Sequence, residues 1–409
     1  MFMVSIRIVR LRYLLLFIDS ALAFIAFAQP KNSAYLDFTI NRKDFVDTIP
    51  LNYRYGQILL VVAIDGKTYN LCLDTGAAMG AIYENSSISL ALQDTTVTVI
   101  DSQNAKRKTR VMRLAPMQLG SLTITDYPAG LMPESVFSDC YNDGVIGFNL
   151  FRRGVSAKID LQNKVLILTD RKDFFRKEKG ITFRYKAYQT PVVTLEPSTM
   201  CRDVATFDTG FYDFYTMNKA RSFGLFTQAG KDKPISIARK MREQVRWKGK
   251  GRASIGLFGV GKEDEVASLQ LDRLRIGKMS FFNVPAKTGA GNSLLGCQML
   301  EYGSIIIDPF REKLTFQPRN SSDTCRVDRR PSDFFVVPVG GKPIVSLINE
   351  QCKVYADGMR MGDTITGVDG KKMDNFCMFV AEVNTKKRTY KLSLLSEEGV
   401  KKEIVYERP

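Results

Sequence analysis

The stretch Leu71-Cys72-Leu73-Asp74-Thr75-Gly76-Ala77 decides how this 409-residue chain is read. Three apolar residues run into an acid, a small hydroxyl residue and a glycine. An apolar run of this kind is a buried strand, which places Asp74 where the strand leaves the core. A carboxylate in that position has to be neutralised, paired or put to use, because burying it alone is costly. The pattern returns at Ala205-Thr206-Phe207-Asp208-Thr209-Gly210-Phe211. Taken singly, either Asp-Thr-Gly is explained by a turn that caps a strand end.

The surroundings of the two motifs also repeat, and in the same order. Leu119-Gly120 through Tyr127-Pro128-Ala129 is matched by Ile276-Gly277 through Val284-Pro285-Ala286. Val145-Ile146-Gly147 is matched by Leu294-Leu295-Gly296. Each copy closes with two strands, Ala157–Asp160 with Val165–Leu168, and Ile305–Asp308 with Lys313–Phe316. A series of matches this long is an internal duplication of one β-rich lobe.

Apolar-apolar-Asp-Thr-Gly followed by aliphatic-aliphatic-Gly resembles the pattern of bacterial exported aspartic proteases. The two lobes on one chain are similar to the pepsin arrangement, and the short Asp-Thr-Gly-Ala lobe to retroviral proteases. The resemblance covers about residues 50–318 and departs at Phe211, where the family carries Ser, Thr or Ala. It implies an all-β fold of two pseudo-symmetric acid-protease β-barrel lobes. It also implies an aspartic endopeptidase whose catalytic residues are Asp74 and Asp208. Thr75 and Thr209 are implied to bond across the lobes. Gly76 and Gly210 bring backbone N–H groups to the carboxylates, and Gly147 and Gly296 let a strand cross behind each motif. By position, a hairpin pairing Thr95–Ile100 with Thr109–Leu114 corresponds to the flap, with Ser102, Gln103 and Asn104 at its tip as substrate-binding candidates. The competing class is an inactive two-lobed peptide-binding protein, its second site closed by Phe211.

Residues 1–28 combine Arg7, Arg10 and Arg12 with a short apolar run and a small-x-small end, Ala26-Phe27-Ala28. This is the pattern of a secretory signal peptide cleaved before Gln29, and it places the protein in the periplasm or outside the cell. Membrane contact is expected only through that segment if it stays uncleaved. The domain plan is then a lobe over 29–169, a second over 170–318, a linker over 319–331 and a third unit over 332–409. Residues 29–50 read as a polar lead-in, and 170–190 as an inter-lobe connection. Asp65-Gly66 between apolar runs marks the hairpin that delivers the chain to Asp74. The stretch 230–265 is rich in Arg and Lys, holds the single tryptophan Trp247, and carries Gly249, Gly251, Gly256, Gly259 and Gly261. It reads as a mobile, solvated loop or a loosely held hairpin.

In the third unit, Ala356-Asp357-Gly358-Met359, Gly362-Asp363-Thr364-Ile365 and Val368-Asp369-Gly370 resemble segments of a PDZ domain, which implies a peptide ligand added at a sheet edge. Gly340-Gly341 is either its carboxylate-binding loop or a hairpin turn. Both aspartates precede Arg319, so the hydrolytic centre is expected to be complete without this unit.

Composition removes other classes. The chain has no histidine, which excludes Ser-His and Cys-His nucleophiles and makes a metal site improbable. No cofactor is expected. The net charge of +16 comes without a nucleic-acid recognition motif, so peptides or proteins are the expected partners and nucleic acid is not. Seven cysteines leave at least one unpaired within the chain. Cys72 is expected to be a free core residue, and Cys352 and Cys377 are candidates for a bridge within the third unit.

Overall fold

A computed structural model describes residues 36–409 except 55, 135–137, 139, 200, 220–239, 384–386 and 409, and the side chains of 92–94 are likewise not described. The leader at 1–28 and the part of the basic stretch at 230–239 lie outside the described residues.

The described residues are mostly β, their strands hydrogen-bonded into a closed barrel with a separate sheet in the third unit. In Gln57–Ile64 and Lys67–Asp74 most apolar residues are buried, on both faces of the strands, with Val61 exposed, and the two strands are joined by Asp65 and Gly66, with left-handed φ values of 51° and 76°. Leu71, Leu73, Ile146 and Leu166 of the first lobe share one apolar cluster with Phe207, Leu271 and Leu295 of the second.

The lobes are joined by a six-stranded antiparallel sheet. Its order is Val46–Arg54, Val165–Thr169, Ser156–Asp160, Gly303–Asp308, Lys313–Pro318 and Ile181–Ala187. The two copies meet at its centre, where Ala157 pairs with Ile307 and Ile159 with Ile305. Two expectations change here. Residues 46–50 are not lead-in but the start of an outer strand of this sheet, and 181–187 of the expected connection form the strand at its other edge. Both segments alternate polar and apolar residues on a short scale, so their burial depends on partners far away in sequence. Likewise Thr324–Arg326, within the expected linker, adds a parallel strand to Ser280–Phe282.

Of the two readings of the glycine-rich stretch, a loop or a hairpin, residues 240–265 form the hairpin. Val245–Gly251 pairs along Asp264–Leu269, and Ile255–Gly256 pairs with Gly259–Val260 at the tip. In the first lobe Leu90–Ile100 pairs with Lys106–Leu114 at the corresponding place in the chain.

The third unit has a core of its own, including Val345, Ile365, Val368, Leu392 and Ile404. Its strands run in the order Phe334–Val339, Lys342–Ile348, Thr364–Val368, Thr389–Leu395 and Lys401–Glu407. The longer of its two helices is Phe376–Val383. Gly340 and Gly341, at φ 57° and 74°, form the hairpin turn between the first two strands. The expected Cys352–Cys377 bridge does not form. Cys377 is bonded instead to Cys140 of the first lobe, 237 residues away, while Cys352 is a buried free thiol. Sequence spacing gave no access to that pairing, because the two cysteines are brought together only by docking of the third unit.

Candidate active site

Each Asp-Thr-Gly ends a strand that is flanked in parallel by the glycine-terminated strand of its own lobe. Asp74 pairs with Gly147 and Asp208 with Gly296. The crossing is close on both sides. A Cβ on Gly147 would meet the Met79 and Ala77 carbonyls, and one on Gly296 would meet the Phe211 and Asp213 carbonyls. Only glycine permits this approach. The chain is fixed there by Phe148 N–H donating to Ala77 O at 2.8 Å and Cys297 N–H donating to Phe211 O at 2.9 Å.

The threonines lock the two lobes together. Thr75 N–H donates to Thr209 Oγ1 at 3.0 Å and Thr209 N–H to Thr75 Oγ1 at 3.1 Å. Each hydroxyl then donates across the lobes, Thr75 Oγ1 to Phe207 O and Thr209 Oγ1 to Leu73 O, both at 2.6 Å. All four bonds are buried, so none is exchanged for water without a cost.

This lattice brings the two carboxyl groups against each other's glycine. A Cβ on Gly76 would stand 2.5 Å from Asp208 Oδ2, and one on Gly210 would stand 2.6 Å from Asp74 Oδ2. Gly76 N–H and Ala77 N–H donate to Asp74 Oδ1 at 2.8 and 3.1 Å, and Gly210 N–H and Phe211 N–H donate to Asp208 Oδ1 at 2.9 and 3.1 Å. Phe211 therefore serves through its backbone as Ala77 does, and its ring lies against Gly296 and near Lys287 Nζ, 5.8 Å from the ring centre. The residue that breaks the family pattern leaves the hydrogen-bond pattern intact.

Burial raises both carboxyl pKa values, and the Asp74 charge together with the hydrogen bond between the two groups raises Asp208 further. Two carboxyls this close titrate as a pair that holds one proton between them. The arrangement can therefore present an acid and a base to one molecule at once.

Residues 60–150 match the aspartyl protease family. The matched segment runs from the strand before Asp74 to Leu150, just past Gly147, and so carries the first of the two motifs. Among solved structures, the aspartic proteinase from Irpex lacteus is similar at 12% identity and a TM-score of 0.42, over 68% of this chain and 99% of that one. No curated protein matches the chain.

The flap candidates sit against the second lobe. Asn104 Nδ2 donates to Ala290 O at 3.1 Å and Gln103 Nε2 to Gly259 O at 3.4 Å, while the Ser102 carbonyl lies where a Cβ on Gly291 would be. Sequence reasoning missed the partner of this tip. Leu257 and Phe258, at the turn of the second hairpin, pack with Ala77 and Val99 on an apolar cluster of the first lobe that includes Leu59, Cys72 and Tyr83. Arg107 lies over the Phe258 ring at 5.1 Å. The glycine spacing was the available signal. Gly256 and Gly261 face Gln103, and Gly249 and Gly251 face Leu347 and the Ser346 carbonyl, so they mark close approach rather than looseness. Lys287 was also missed. It pairs with Asp213 at 2.6 Å, donates to Ala253 O at 3.0 Å, and lies 5.0 Å from the centre of the Phe335 ring in the third unit.

Proposed function

We propose that the chain is an aspartic-type endopeptidase that cleaves peptide bonds in polypeptide substrates with Asp74 and Asp208 as its catalytic pair. The observation that carries this reading is the symmetric lattice of Thr75 and Thr209, which holds the buried Asp208 and the partly buried Asp74 carboxyls against opposite glycines with one proton to share. The ionised member takes a proton from a water molecule, whose oxygen adds to the scissile carbonyl carbon. The protonated member gives its proton to the carbonyl oxygen. Collapse of the tetrahedral species breaks the C–N bond as a proton passes to the leaving nitrogen, and the second product carries the new carboxyl group. Backbone N–H groups of residues 76, 77, 210 and 211 hold the carboxylate oxygens in place through these steps. No side chain bonds covalently to substrate, and no cofactor takes part.

The same proposal places the mature protein outside the cytoplasm, periplasmic or secreted, after loss of residues 1–28. A bridge between Cys140 and Cys377 supports an oxidising compartment. The strand and helix order of residues 332–409 supports the PDZ-like reading, with a peptide ligand as its implied partner.

The test is digestion of a denatured protein by purified chain and by Asp74→Asn and Asp208→Asn variants. General acid–base catalysis contributes roughly 10²–10⁴-fold, so either variant should lose at least that much activity while remaining folded. Near-normal cleavage by Asp208→Asn would overturn the two-carboxyl mechanism.

A further inference from the structure

A cavity of about 1560 Å³ opens between the two lobes and the third unit, and neither candidate aspartate lines it. Its walls carry nine Arg or Lys side chains and four Asp or Glu, a surplus of five positive charges. Two of the acids are already engaged. Glu301 pairs with Arg329 at 2.6 Å and accepts from Tyr53, and Asp328 accepts from Tyr302. Five of the cations, Arg54, Arg319, Arg326, Arg330 and Arg388, form no ion pair with a described residue. They come from three separate parts of the fold and converge on one opening.

The cavity adjoins a smaller one of about 190 Å³, and Tyr212, Arg329, Arg330, Tyr406 and Arg408 line both. The smaller cavity reaches Asp213 and Lys287, and Lys287 stands beside the ring of Phe211, three residues past Asp208. Two adjoining cavities thus place a groove rich in cations next to the residues that flank the candidate active site.

We infer that this groove binds an acidic segment of the polypeptide substrate, outside the residues that are cleaved. The inference rests on the hydrolytic reading above. Guanidinium groups present planar paired donors that match carboxylates, and a concave wall of one sign concentrates the field. A polypeptide is the occupant that fits a concave cationic wall beside the site that would cleave it. A flat lipid surface cannot follow a recess whose floor is the half-buried Arg329.

The binding test uses full-length Asp74→Asn, so that cleavage does not interfere, and fluorescein-labelled heptaglutamate followed by anisotropy. Binding is expected, weakened by salt, and reduced by about tenfold or more when Arg319, Arg326 and Arg388 are all changed to Glu, while the three Lys variants retain it. Equal affinity in the Glu variant, or flotation of the protein with phosphatidylglycerol vesicles in the absence of heptaglutamate binding, would overturn the groove. The cleavage test compares one peptide with and without acidic extensions at either end. The wild-type chain should prefer an extended form in kcat/KM, and that ratio should fall to about one in the Glu variant. Heptaglutamate binding without any cleavage would overturn the hydrolytic reading and leave the groove standing. Cleavage with an unchanged ratio would do the reverse.

Discussion

Thr75 and Thr209 carry more of the argument than the aspartates do, because a carboxyl pair is only as good as the lattice that aligns it. Thr209→Val removes a hydroxyl that accepts from Thr75 N–H and donates to Leu73 O, leaving two buried backbone groups without partners. Each such group costs about 1–3 kcal/mol, so unfolding should occur several degrees lower in calorimetry, and activity should fall with it. The aspartates themselves are expected to act in the opposite sense on stability. Both carboxyls have pKa values raised by burial, so each binds its proton more tightly folded than unfolded. The resulting stabilisation is fully present below the ordinary carboxylate range and is lost as pH rises through the raised folded values. Asp208→Asn, which stays neutral, should therefore raise the Tm at neutral pH while abolishing cleavage, and the gain should vanish at about pH 3, below the ordinary carboxylate value. A Tm lowered at pH 7 would show that the charge is stabilised by something other than its partner. For the same reason activity should persist above the ordinary carboxylate range and end where the pair gives up its last proton, a limb visible in a kcat/KM profile. This scale was the most legible in sequence. A motif whose geometry needs an acid, a hydroxyl and a glycine in adjacent positions leaves few residue choices, and its duplication at 208–210 made the reading specific.

At the scale of elements, the second hairpin is where local signals and tertiary contacts disagree. Residues 245–261 carry five glycines, which by pattern alone describes a loop or a loosely held hairpin. What orders them lies elsewhere in the chain. Trp247 is buried among Val266, Leu347 and the edge of Phe335, and its Nε1–H donates to Ser332 O at 3.1 Å. Arg252 N–H donates to Ser346 O at 3.3 Å, at the bulge of a third-unit strand, and Ser346 Oγ donates back to Arg252 O at 2.6 Å. The outer strand segments at 46–50 and 181–184 were missed for the same reason, since their partners are more than a hundred residues away. Trp247→Ala should cost about 3–5 kcal/mol of local packing, by analogy with large aromatic deletions in cores. The expected result is faster amide exchange over residues 245–261 with little change around Leu71–Gly76. Uniform loss of protection across both lobes would show instead that Trp247 supports the whole core.

For the whole molecule, the third unit behaves as a brace rather than an appendage. It is tied to the first lobe by Cys140–Cys377 and to the second by the Trp247 and Ser346 contacts, and its Phe335 stacks on the lysine that flanks Phe211. Sequence placed both carboxyls ahead of Arg319 and so left this unit outside the centre, because nothing in residues 332–409 names the partner that they cover. Two perturbations separate the ties. Cys140→Ser opens a 237-residue link whose closure is worth roughly 5 kcal/mol in the chain-entropy account, yet leaves every contact to the second hairpin in place. A chain ending at Arg330 keeps both motifs and the Thr324–Arg326 strand but exposes Trp247 and frees the Arg252 backbone. On a short neutral peptide, to which the cationic groove contributes nothing, Cys140→Ser should retain kcat/KM within about twofold while its Tm falls. The shortened chain should lose about tenfold or more in kcat/KM, because the unbraced hairpin, whose tip packs on the first lobe beside Ala77, would have to be ordered at about 1–2 kcal/mol for each residue fixed. If the shortened chain cleaves the peptide as fast as the full one, the second hairpin holds its own position and the contacts at Trp247 and Ser346 serve only to dock the third unit.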